Sequence, residues 1–92
     1  MTTTQREQLA AAVEGYAFSA RGHDWTACVF ATHEIQGESF LYLALLGDPV
    51  LTLTVRVPDN CDTRTAAARI ADAVVAFLAA NERLDDGSVT LM

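Results

Sequence analysis

Near the middle of the chain, Leu51-Thr52-Leu53-Thr54-Val55-Arg56-Val57 alternates strictly between apolar and polar residues. Successive side chains of a strand point to opposite faces, so this run demands a β-strand with one face buried and one outside. Any fold containing it must cover Leu51, Leu53, Val55 and Val57 with apolar groups from elsewhere.

Two more runs read as strands. Residues 39–46 are apolar on both faces, as expected of a central strand. Residues 25–33 alternate Trp25, Ala27, Val29 and Ala31 against Thr26, Cys28, Phe30 and Thr32. The turn Ile35-Gln36-Gly37-Glu38 and the tight Gly47-Asp48-Pro49 link the three runs, and Pro58-Asp59-Asn60 ends the sheet. Connections this short imply an antiparallel meander.

Helical patterns flank the strands. Thr4 followed by Glu7 matches a capping box and starts a helix at Gln5, with Leu9, Val13, Tyr16 and Ala20 at helical spacing. Arg21 suits the negative end of that helix and Gly22 supplies its stop. Gly15 is a weak spot inside it, costing about 1 kcal/mol relative to Ala, and close approach of another backbone accounts for it. A second helix starts at Asp62 or Thr63 and runs to about Asn81, burying Ile70, Val74, Phe77 and Leu78. Asp85-Asp86-Gly87 is a turn, and the tail 88–92 adds a short C-terminal edge strand or frays. The expected fold is α+β: one domain, 1–92, with a three-stranded antiparallel meander flanked by N- and C-terminal helices (α-β-β-β-α).

Twelve acidic residues oppose six basic ones, all Arg, for a net charge of −6. Phosphate neutralisation dominates nucleic-acid affinity, so direct binding of nucleic acid is not expected. The element order is similar to that of the double-stranded-RNA-binding domain, a family that relies on Lys residues at the start of its last helix. Here that stretch reads Asp59-Asn60-Cys61-Asp62-Thr63-Arg64, so no RNA-binding residue carries over. Acidic secretion chaperones resemble this chain in general shape, with helices packed on a small sheet. No apolar run approaches the roughly 18–20 residues of a membrane helix. The start Met1-Thr-Thr-Thr-Gln-Arg-Glu lacks a basic segment followed by an apolar core, so a cytoplasmic location is expected.

Chemistry-bearing residues are scattered. His23 and His33 lie at opposite ends of one strand, Cys28 and Cys61 have no histidine beside them in sequence, and the five glycines form no phosphate loop. Asp85 and Asp86 are a solvated turn pair, and Trp25 is a core anchor. No catalytic, cofactor-binding or metal-ligating residue is assigned, and no enzymatic activity is expected.

With Leu51, Leu53, Val55 and Val57 covered, together with Leu41, Leu43 and Leu45, the other sheet face carries Cys28, Phe30, Phe40, Tyr42, Ala44, Thr52 and Thr54. Either the tail or the first helix covers part of that aromatic face, or a partner does. The expected partner-binding residues are Phe30, Phe40, Tyr42, Thr52 and Thr54, with the acidic turn residues Glu38 and Asp48. The leading expectation is a small acidic protein-binding module, in its sharpest form an inhibitor or decoy of phage or mobile-element type, anti-CRISPR-like, that occludes a basic partner surface. The alternatives are a homodimeric structural or chaperone-like protein and a small enzyme with its site at a dimer interface.

Overall fold

The computed structural model describes residues 1–58 and 61–91. Its elements are α1 (Thr3–Val13), β1 (Ala17–Ala20), β2 (His23–Ile35), β3 (Glu38–Gly47), β4 (Leu51–Val57), α2 (Thr63–Ala80) and β5 (Gly87–Thr90). The fold is α+β, but the sheet has five strands in the order β1-β2-β3-β4-β5. The expected meander is its centre, β2-β3-β4. The tail forms β5, parallel to β4 and reached through α2. A parallel neighbour requires such a crossover, which is why a helix separates the two.

The N-terminal segment departs most from expectation. The capping box is Thr2 with Gln5, not Thr4 with Glu7: the Gln5 N–H donates to Thr2 Oγ1 and the Thr2 N–H to Gln5 Oε1. The helix then ends at Val13. Gly15 adopts φ +81°, a left-handed conformation that glycine enters without steric cost. Its N–H donates to the Ala27 carbonyl, and the Ala27 N–H to the Tyr16 carbonyl, both at 2.8 Å. The chain thereby leaves the helix and joins the edge of β2. Arg21 and Gly22 (φ 53° and 79°) are both left-handed and form a two-residue hairpin turn whose twist suits the strands it joins. Gly22 is therefore no helix stop. Arg21 instead donates to the Leu78 and Ala79 carbonyls, at the C-terminal end of α2. A cation there satisfies orphan carbonyls and complements the negative helix end.

In the centre the predicted pairing holds. Leu41, Leu43 and Leu45 lie opposite Val55, Leu53 and Leu51, and all six are buried. Leu9 and Val13 of α1 and Ala66, Ile70, Val74 and Leu78 of α2 complete this core. Trp25 closes one end of it, 2 % exposed, with its indole N–H donating to the Pro49 carbonyl at 2.7 Å. At the other end the Arg6 guanidinium meets the Glu34 carboxylate at 3.0 Å and ties α1 to β2.

A bulge in β2 overturns one assignment. Val29 lies opposite Leu43, but Ala31, not Phe30, lies opposite Tyr42. One extra residue switches the faces of everything after it. Ala31 therefore leaves the covered set and is exposed. The sheet end placed at Pro58-Asp59-Asn60 falls partly outside the described residues, as does the last residue of the tail, Met92.

Two outcomes follow from this packing. A Cβ at Gly47 would lie 2.5 Å from the Asp24 carbonyl and 2.7 Å from Trp25 Cδ1. Gly47→Ala is expected to destabilise the fold by about 1–3 kcal/mol in urea titration, as overpacking does; an unchanged midpoint would contradict the contact. At α2, the Asp62 carboxylate accepts from the Thr65 N–H and hydroxyl, which holds it below the ordinary carboxylate value. Its stabilising contribution is thus present above the unfolded-state value and lost as pH falls through the folded one. Asp62→Ala should lower the unfolding midpoint at neutral pH, with the gap to the parent closing as pH drops below about 4.

Candidate functional site

Both helices lie against one face of the sheet and leave the other without helical cover. That uncovered face follows from the pleat. On β3 it presents Glu38, Phe40, Tyr42, Ala44 and Leu46, on β4 Thr52, Thr54 and Arg56. The register sets Phe40 opposite Arg56, Tyr42 opposite Thr54, and Ala44 between Thr52 and Cys28. Neither the tail nor α1 covers this face: β5 extends the sheet sideways, and α1 packs with the core.

Phe30 lies on this face with Thr26 and Cys28, as alternation along β2 places it. Its side chain is 57 % exposed, and its ring lies 6.2 Å from that of Tyr42, centroid to centroid. Phe40 and Tyr42 are half-buried by their strand neighbours and are not among the groups packed on the core. The structure thus brings five of the expected partner-binding residues, Phe30, Phe40, Tyr42, Thr52 and Thr54, onto one surface. Glu38 is at its edge, ion-paired with Arg56. Asp48 is not on the pleated face; it sits in the turn after β3, with its carbonyl oxygen 2.9 Å from His23 Nδ1.

Sequence reasoning missed four residues here. Leu46, 49 % exposed, continues the alternation of Tyr42 and Ala44 and was legible from it. His33 and Ile35 reach this face only because of the bulge, which no local pattern announces. Asp86 reaches the sheet through tertiary contact: its carboxylate accepts the Thr52 N–H at 2.7 Å, just before β5 begins. With Asp24 at the start of β2 and Asp48 in the β3–β4 turn, it forms an acidic rim at one end of the sheet.

Other chemistry is weakly supported by the geometry. Desolvation, reinforced by the Glu14 carboxylate, pushes the Cys28 thiol above its ordinary value, the wrong direction for a nucleophile. Among the described residues, no group of three or more His, Cys, Asp or Glu is placed to hold a metal ion. A depression of about 490 Å³ beside β5 is lined by Glu38, Arg56, Pro58, Thr90 and Leu91 among others, and its two charged groups pair with each other. None of the helices among the described residues is long and apolar enough to cross a membrane.

Comparison with protein-family models, curated proteins and solved structures returns no match. Weight therefore falls on the geometry of the face itself. Because Phe30 is exposed, Phe30→Ala should change unfolding free energy by no more than about 0.5 kcal/mol, whereas Trp25→Ala should cost about 3–5 kcal/mol. Denaturant titration of both variants checks this, and a core-sized loss at Phe30 would refute the exposure.

Proposed function

We propose that this chain is a small, non-enzymatic protein-binding module, acting in the cytoplasm, whose working surface is the uncovered face of the sheet. The observation that carries the reading is the Phe30–Tyr42 ring pair, on a face that both helices leave open. Aromatic groups supply large contact area with few rotatable bonds and dominate binding energy when a partner buries them. Large exposed apolar surface on a small domain marks contact sites. The free thiols of Cys28 and Cys61 fit a reducing compartment.

The acidic rim refines the partner's chemistry. Asp24, Asp48 and Asp86 border one end of the apolar face, so a complementary surface carries an apolar strip with basic groups at its end. Such complementarity raises the encounter rate more than the final affinity. In its sharpest form the module is an inhibitor or decoy that occludes a basic surface, with apolar docking supplying the energy and the acids the steering.

The test is Tyr42→Arg. Tagged parent and variant are compared in extracts of the native host by mass spectrometry, with circular dichroism as the control for folding. A partner held by the parent should be lost from the variant, whereas Asp72→Lys, on the exposed side of α2, should retain it. A folded Tyr42→Arg chain that keeps every partner of the parent would end the proposal.

A further inference from the structure

We draw no further inference here: the strongest candidate, the open sheet face around Phe30 and Tyr42, belongs to the docking site already described, and nothing in the structure shows what covers it.

Discussion

Everything in this fold depends on a sheet that is apolar on one side and must be sealed there. Three leucines of β3 and four aliphatic residues of β4 form one continuous buried surface. Among the described residues two helices cover it, and both are needed. Leu9 and Val13 of α1 and Ile70, Val74 and Leu78 of α2 meet that surface. Among the described residues no third helix covers the reverse face, so it is left open. The exposure of the rings is thus a consequence of how the core is closed.

The edges are treated differently from the face. An open strand edge offers unpaired N–H and C=O groups to any other chain. Here two edge N–H groups are taken by carboxylates of the same molecule: Glu14 accepts from Val29 at 2.6 Å, and Asp86 from Thr52. Gly15 and Tyr16 satisfy Ala27 in the same region. β1 and β5 are short, four residues each, which further limits edge pairing. These edges therefore offer less to edge-to-edge pairing than a bare meander would.

The same acids serve two ends. Asp86 blocks an edge and also belongs to the rim beside the apolar face. Arg21 is engaged with the carbonyls at the end of α2. One arginine, placed by a left-handed hairpin turn, thus ties the first hairpin to the end of the second helix.

How much was legible follows from the range of each signal. Period-two alternation in β4 and the apolar run of β3 are local and strong, and they determined the meander and the face of Thr52 and Thr54, whereas the face of Phe40 and Tyr42 followed only from assuming that Leu41, Leu43 and Leu45 pair with the apolar side of β4. The second helix was equally legible from its spacing. The first helix was overextended because a left-handed glycine marks both a helix end and a two-residue hairpin turn, and Gly15 and Gly22 carry the same local signature for different structures. The bulge at Phe30 was invisible because alternation reads straight through one inserted residue, and only pairing with β3 reveals the shift. The sequence by itself determined a one-sided sheet with helical cover. Tertiary structure alone decided the parallel pairing of the tail, the partner of Arg21 and the switch of Ala31, His33 and Ile35 to the open face, because these are set by contacts between residues far apart in the chain.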